Sequence, residues 1–409
     1  MKGRKYLFET LFILLLGILW SVQCHSQTEA GKWYKGDLHS HSNYSDGDSS
    51  VADVLASVES LGLDFFALTD HDTSMNGDPA HWFDPDFRSD EMILLYGIEW
   101  TSALGHGNVW ASAQFSYSKL WEANLANDAQ SAAQAAHDQG ALFSINHPTA
   151  FLCCPWEYQV YDDIDTIEVW NSMYRFPNFS RLAVHHFWDD LLLSGRHIPA
   201  VGGSDTHHLV KWQSQLFGHG NPTTWVYAEE YSPEGILAGI KAGHITISYA
   251  PSAVRLDFTA DADGDGNYDI LVGDTIDYQP GQEIAFKVRI VCSAENEAAT
   301  EGKPFEPVEL SPADSAGSNE KPEEQLPFLL TGNGENCNGM YGLTIFKNGS
   351  PFKILLVSGL KEITFKDILE TSLPTYYRVE LYGMPQLIPF YTSLYGIEVA
   401  LTNPIYVNY

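Results

Sequence analysis

Residues 51–71, VADVLASVESLGLDFFALTDH, carry the reading that decides the fold. Val51, Val54, Leu55, Val58 and Leu61 recur at the spacing of a helix with one apolar face, and Leu63 to Leu68 follow as a short apolar run, the pattern of a buried strand. The run ends on Thr69-Asp70-His71, which puts an imidazole at the C-terminal end of the strand. The same unit recurs along the chain. Helices are predicted at 128–139, 179–194 and 233–242, each closed by a glycine (Gly140, Gly195, Gly243). Strands are predicted at 92–98, 141–146, 164–170, 197–203 and 223–228. Six or seven strand–helix units between Trp33 and about Tyr249 predict an α/β fold, a parallel (β/α) barrel whose functional groups gather at the strand C-termini. Glu99, after Ile93 to Ile98, and His147, after Leu142 to Ile145, fall at that end, as His71 does.

Beyond residue 250 the pattern changes to apolar alternation with period two, as in Ala285 to Val291 and Tyr376 to Leu381, with one short helix expected near 366–371. A β-sandwich-like C-terminal domain over 250–409 is the expectation, following a catalytic domain over 33–249. Ser293 to Gln325 is rich in Glu, Pro, Ser and Ala without an apolar period, and reads as a mobile insertion.

Residues 1–26 read as a secretory signal: Lys2, Arg4 and Lys5 precede an apolar run from Leu11 to Trp20 that is too short to span a bilayer. The mature chain is therefore expected to be exported, periplasmic or extracellular, with no membrane span. A lipoprotein anchored at Cys24 is the alternative, although Ser21-Val22-Gln23 lacks the Leu and small residues of a lipobox. Four other cysteines suit an oxidising compartment. Cys292 and Cys337 are placed to pair, whereas the adjacent Cys153 and Cys154 read as two packed thiols, with a redox or metal role as the other reading. A formal net charge of -31 excludes nucleic acid as a bound partner, because phosphate backbones are gripped by Lys and Arg. A small-molecule substrate is expected instead.

Five short stations hold the chemistry: Asp37-Leu-His39-Ser-His41 with Asp46, Thr69-Asp-His71, Glu99 with His106, Asn146-His147-Pro148, and Gly203-Ser-Asp205-Thr-His207. Their six histidines and three carboxylates are the side chains that bind divalent metals, and nine suffice for two or three ions, Zn, Mn or Fe, sharing a bridging group. On an extended strand, residues two apart share a side, so His39 with His41 and Asp205 with His207 can each face one interior. Any one of these histidines alone would read as a structural or surface residue. Asp37 and Asp70 read either as partners that fix the tautomer of a ligating imidazole or as turn and capping residues.

These stations resemble the motifs of the PHP (polymerase and histidinol phosphatase) superfamily of metal-dependent phosphoesterases. Gly97-Ile-Glu-Trp-Thr101, Gly105-His-Gly-Asn108, Ile167-Glu-Val-Trp-Asn171 and Gly202-Gly-Ser-Asp-Thr-His207 are similar to its secreted, carbaryl hydrolase-like (CehA/McbA) branch, over roughly residues 33–275. The closing Thr402-Asn-Pro-Ile-Tyr406 resembles the end of that branch's C-terminal domain. The resemblance implies a distorted (β/α)7 barrel and three metal sets: His39, His41, Glu99 and Asp205; Glu99, His106 and His147; Asp46, His71 and His207. Glu99 bridges the first two. In this scheme a hydroxide between two metals is the nucleophile, Asp205 moves the proton, and no Ser or Cys nucleophile is needed.

For substrate contacts only Arg175, Arg181 and Lys211 lie near the motifs; Arg175 is the best placed, against a plain surface arginine, and His208 is either a substrate contact or a surface residue. His185 and His186, mid-helix, read as structural. Separately, Asp261-Ala-Asp263-Gly-Asp265-Gly-Asn267-Tyr-Asp269 puts carboxylates at loop positions 1, 3, 5 and 9 with Gly at 6, although the EF-hand's Glu at 12 is Val272 here. Structural calcium and a solvated acidic turn stand as equal readings of it. Three functions follow: a secreted phosphoesterase; a carbamate, ester or amide hydrolase with the same metals, favoured by the scarcity of basic residues; and a non-catalytic, exported, calcium-binding surface protein.

Overall fold

The computed structural model of the chain describes residues 31–150, 153–172, 178–209, 218–292, 308–310, 339–358, 362–383 and 397–409. The expectations placed on residues 1–26, Cys24, Arg175, Lys211, Cys337 and most of 293–325 lie outside these residues.

Nine strands build the N-terminal part: β1 (Lys32–Asp37), β2 (Phe65–Leu68), β3 (Ile93–Ser102), β4 (Gly105–Ala111), β5 (Leu142–Ile145), β6 (Thr166–Asn171), β7 (Ala200–Gly203), β8 (Thr223–Ala228) and β9 (Ile245–Ser248). They lie in the order β9-β8-β1-β2-β3-β4-β5-β6-β7. β1, β2 and β3 pair in parallel, as do β5, β6 and β7. β4 runs antiparallel to β3 and to β5, and β8 antiparallel to β1 and β9, so the expected all-parallel sheet is corrected to a mixed one. The cause is local. Ser102 and Gly105 pair at the end of a tight β3–β4 hairpin, where the Ser102 hydroxyl donates to the Gly105 carbonyl at 2.7 Å, and a hairpin needs no crossover helix. Gly105 has a φ of 136°, and a Cβ there would lie 2.9 Å from the Trp156 ring.

The ends of β1 and β7 meet. Ser40 bridges Thr206 in parallel beyond the two strands, and the Gly202 amide donates to the Thr224 hydroxyl at 2.8 Å. Helix α1 (Val51–Ser60) buries Val51, Val54, Leu55 and Val58, four of the five residues of the predicted stripe, while Leu61 is its exposed C-cap; Ser50 caps the other end by accepting from the Asp53 amide. Helix α2 (Ser118–Ala126) was not foreseen: it buries only Leu120, Ala123 and Asn124, too thin a stripe to read. Helices α3 (Ala129–His137), α4 (Asn178–Leu193) and α5 (Pro233–Ala242) fall within two residues of their predicted bounds.

The remainder is sheet-rich. Strand Ile397–Thr402 pairs with β9, which joins strands Thr375–Gly383, Met340–Lys347 and Ser350–Ser358 to the same sheet. A second sheet of four strands holds Arg255–Asp261, Ile270–Leu271, Glu283–Val291 and Glu362–Ile368. Phe258, Phe286, Val288, Tyr341, Ile345, Tyr377 and Val379 form their common core. The helix expected near 366–371 is corrected, since Glu362–Ile368 is a strand zipped to 283–289 by alternating Ile363 and Phe365. Within the stretch read as a mobile insertion, Val308–Leu310 forms a strand against Ile354 to Leu356.

A buried polar knot ties this sheet to α4. Arg378, 1% exposed, donates from Nε and Nη2 to the two Asp189 oxygens at 3.0 and 2.7 Å and from Nη1 to Glu380. His185 Nδ1 lies 2.9 Å from Glu380 Oε1, a structural role in keeping with its mid-helix position.

Candidate metal centre

β1 delivers its ligands through its own continuation. The Asp205 amide donates to the His39 carbonyl at 2.8 Å and the His41 amide to the Thr206 carbonyl at 2.9 Å, so the chain leaving β1 and the chain leaving β7 present His39, His41 and Asp205 side by side. His39 Nε2 is 3.4 Å from both Glu99 Oε1 and Asp205 Oδ1. His41 Nε2 is 3.1 Å from Asp205 Oδ1 and 3.5 Å from Glu99 Oε2. Donors that share one ion at about 2.0–2.2 Å stand about 3.3 Å apart, so these four side chains fit one cation.

The Glu99 oxygen that faces His39, Oε1, also lies 3.2 Å from His106 Nδ1 and 3.4 Å from His147 Nε2. Asp46 Oδ1 lies 3.2 Å from His207 Nε2 and 3.5 Å from His71 Nε2. All nine sequence-selected residues thus converge. His71 does not keep to one set, because its Nδ1 is 2.8 Å from Glu99 Oε2. Burial grades the site from floor to mouth: the His39, His41 and Glu99 side chains are at most 1% exposed, whereas that of Asp46 is 56% exposed.

Two of the candidate ligands sit on left-handed backbone, His147 with φ 27° and Asp205 with φ 54°. L residues other than Gly seldom adopt it, and such strain collects at functional sites. His39 Nε2 and Glu99 Oε2 are buried without a hydrogen bond. An unsatisfied imidazole nitrogen held 3.4 Å from each of two carboxylate oxygens, Glu99 Oε1 and Asp205 Oδ1, fits a cation, and imidazole with carboxylate is the donor set for a borderline divalent ion.

Electrostatics agree with that demand for positive charge. Burial alone would raise the Glu99 carboxyl, but His71, His39 and His106 hold it well below the usual range; Asp205 is likewise lowered, against burial, by His39 and His41. In return His71, despite burial, is pushed up to about 11 by Glu99 and Asp46, and His207 to about 9 by Asp46 and Asp205. Protons on these rings are the charges that bound metal would displace.

Surrounding residues position the candidate ligands, and most of them lie outside the nine that the sequence selects. Glu168 Oε1 lies 2.9 Å from His39 Nδ1, while its Oε2 accepts from the His147 amide at 2.8 Å and from Asn171 Nδ2 at 3.0 Å. Asn171 Nδ2 also reaches Asp205 Oδ2 at 3.2 Å, and Asn146 Nδ2 donates to Glu99 Oε1 at 2.8 Å. Asp72 accepts from the Thr101 amide, Tyr117 and Asn124, and Thr101 Oγ1 lies 2.7 Å from His71 Nδ1. The readable signal was a Glu in the fully buried strand β6, since a buried charge must be partnered. Asp37 touches no imidazole: it accepts from the amides of His39, Ser204 and Gly220, which is its capping reading. Asp70 reaches His41 indirectly, through Ser45 Oγ at 2.6 Å, which is 3.3 Å from His41 Nδ1.

Cys153 and Cys154 are corrected from packed thiols to a disulfide between neighbours. Cys154 Sγ stands 3.6 Å from His106 Nδ1. Cys292 is disulfide-bonded too. His208 is exposed and pairs with Asp48 Oδ2 at 3.3 Å, with its ring centroid 6.3 Å from that of His207. In the acidic loop, both Asp261 oxygens accept from loop amides, those of Gly264 and Gly266, while Asp263, Asp265, Asn267 and Asp269 are exposed.

Residues 37–137 match the PHP domain family. A probable histidinol-phosphatase of Thermotoga maritima is 37% identical over 59 residues, 14% of this chain and 24% of that protein, so the match spans about a quarter of the curated relative. A two-domain protein of Bacteroides vulgatus, containing a predicted PHP-like metal-dependent phosphoesterase, superposes over 91% of this chain and 96% of its own with 15% identity and a TM-score of 0.41. An amidohydrolase of Chromobacterium violaceum, solved with bound sulfate and no metal, covers 45% of this chain and 90% of its own at 15% identity and a TM-score of 0.28.

Proposed function

We propose that this chain is an exported, metal-dependent hydrolase of the PHP type, a phosphoesterase of the carbaryl hydrolase-like branch built on a distorted (β/α)7 barrel. The observation that carries the reading is Glu99: one buried carboxylate has His39, His106 and His147 around Oε1 and His41 and His71 around Oε2, each within 3.5 Å. His39, His41 and Asp205 would hold one ion with it, His106 and His147 a second, and Asp46, His71 and His207 a third. Such ions supply Lewis acidity and lower the pKa of water. The chain's own part is positional. Asn171 holds Asp205 Oδ2, which leaves Oδ1 on the side of His39 and His41, where a proton can be taken up. Arg175 is the proposed phosphate contact.

One observation favours a second reading. Among the described residues, the ion pairs of the nine ligands have histidine, and never Lys or Arg, as the basic partner. Acidic groups partnered in this way by imidazoles alone suit a neutral carbonyl, that is a carbamate, ester or amide. Assay of a chromogenic phosphate ester beside a naphthyl carbamate, each with manganese or zinc, separates the two. Metal-dependent turnover of the phosphate ester is expected; turnover of the carbamate alone selects the second reading, and turnover of neither, with no transition metal bound on elemental analysis, sinks both.

A further inference from the structure

We propose that Cys154 is a fourth ligand of the His106 and His147 metal set, withheld while it is bonded to Cys153 and released when that bond is reduced. The inference rests on the metal reading above.

Three donors define the position: Glu99 Oε1, His106 Nδ1 at 3.2 Å from it, and His147 Nε2 at 3.4 Å. Cys154 Sγ is 3.6 Å from the same His106 nitrogen, and His106, His147 and Cys154 each offer an atom within 4.8 Å of the others. With zinc–sulfur and zinc–nitrogen bonds of about 2.3 and about 2.0–2.1 Å, a tetrahedral ion separates its S and N ligands by about 3.5 Å. The sulfur therefore already stands at ligand spacing from His106. Its backbone is held from both sides: the Cys153 amide donates to the Ala150 carbonyl and the Ala150 amide to that of His147, while the Trp156 amide donates to Pro148 and that of Glu157 to Leu104 in the hairpin that carries His106. None of these backbone bonds involves the bridge sulfurs.

Chemically, the two states differ in kind. A disulfide sulfur is a neutral, poor donor, whereas a thiolate is a strong one. Three protein ligands leave a catalytic ion an open position; a fourth, from sulfur, gives the closed set typical of structural sites. An external dithiol supplies the two electrons: the Cys153–Cys154 bond breaks, the dithiol closes to its own disulfide, its two protons pass to the cysteines, and Cys154 gives its proton to water on binding the ion. Reduction thus converts an open centre into a closed one.

The test uses the full-length protein loaded with cobalt(II), whose thiolate charge-transfer absorption reports sulfur ligation independently of turnover. Oxidised wild type should bind cobalt without this absorption. Cys153→Ser, which frees Cys154 with no reductant present, should show it, as should wild type reduced with a phosphine that is then removed; Cys154→Ser should lack it in both states. Cobalt bound by Cys153→Ser without the absorption overturns the inference and leaves the metal reading standing, and so does an absorption that survives in reduced Cys154→Ser. Failure of oxidised wild type to bind cobalt overturns both.

Discussion

Glu168 Oε1 lies 2.9 Å from Nδ1 of His39, so a buried carboxylate keeps the proton on that nitrogen and turns Nε2, the other ring nitrogen, toward Glu99 and Asp205, 3.4 Å from each. Its second oxygen accepts from the His147 amide, which couples the geometry of two ligands to one side chain.

Glu168→Gln should therefore lower metal affinity by about 10–100-fold with the fold intact, because an amide cannot accept on both ends and one end would present N–H to N–H. Titration with zinc, followed calorimetrically alongside circular dichroism, measures it; unchanged affinity would remove Glu168 from the site.

Glu99→Ala deletes the carboxylate common to two donor sets, and the loss of transition-state charge stabilisation, several kcal/mol, corresponds to a rate loss of about a thousandfold or more. Bound metal should fall with it, read by elemental analysis after desalting. Activity within about tenfold of wild type would contradict the bridging role.

His219 gives the pH dependence. Burial pushes it down to about 4, and both ring nitrogens are engaged, with Ser40 Oγ at 2.9 Å and Ser57 Oγ at 3.0 Å. The unfolded chain takes up this proton near 6.5, the folded one only near 4. Its contribution is thus fully present above about 6.5 and is lost as pH falls toward 4, by about 3 kcal/mol in all. Thermal midpoints of metal-free wild type should drop across that window more steeply than those of His219→Gln; equal slopes would refute the assignment.

Arg378→Ala leaves Asp189 and Glu380 buried without their cation, both having been its partners. Removing one member of such a group costs about 3–5 kcal/mol. Urea denaturation should report this, and a loss below about 1 kcal/mol would show that the knot between α4 and the C-terminal sheet contributes little.

Much of the fold was legible because short apolar runs and helical stripes are local signals. Strand β8 occupies residues 223–228 as the sequence predicts, and α1 buries four of the five residues its spacing selects. The candidate ligands His71 and His147 were legible because each falls just past a strand's end, where side chains leave the packed layer; Glu99, which the sequence places at such an end, instead lies inside β3, three residues before Ser102. The antiparallel β4 was not: a strand's direction depends on its connection, and the Ser102–Gly105 hairpin has no feature in composition that sets it apart from a short loop. Nor was α2, whose stripe is too weak, or the contact of Glu168 with His39, made across 129 residues of chain.

By itself the sequence determined which side chains are candidates for the chemistry and that an α/β unit precedes a sheet-rich one, because periodicity and residue type act over a few residues. Only the tertiary structure decided which of those side chains share an atom's neighbourhood: that His71 leans on Glu99 as well as Asp46, that Asp37 caps backbone rather than imidazole, and that a cystine stands 3.6 Å from His106. The physical reason is range. Hydrogen bonds and ligand bonds are satisfied at about 3 Å, between residues that only the folded chain brings that close.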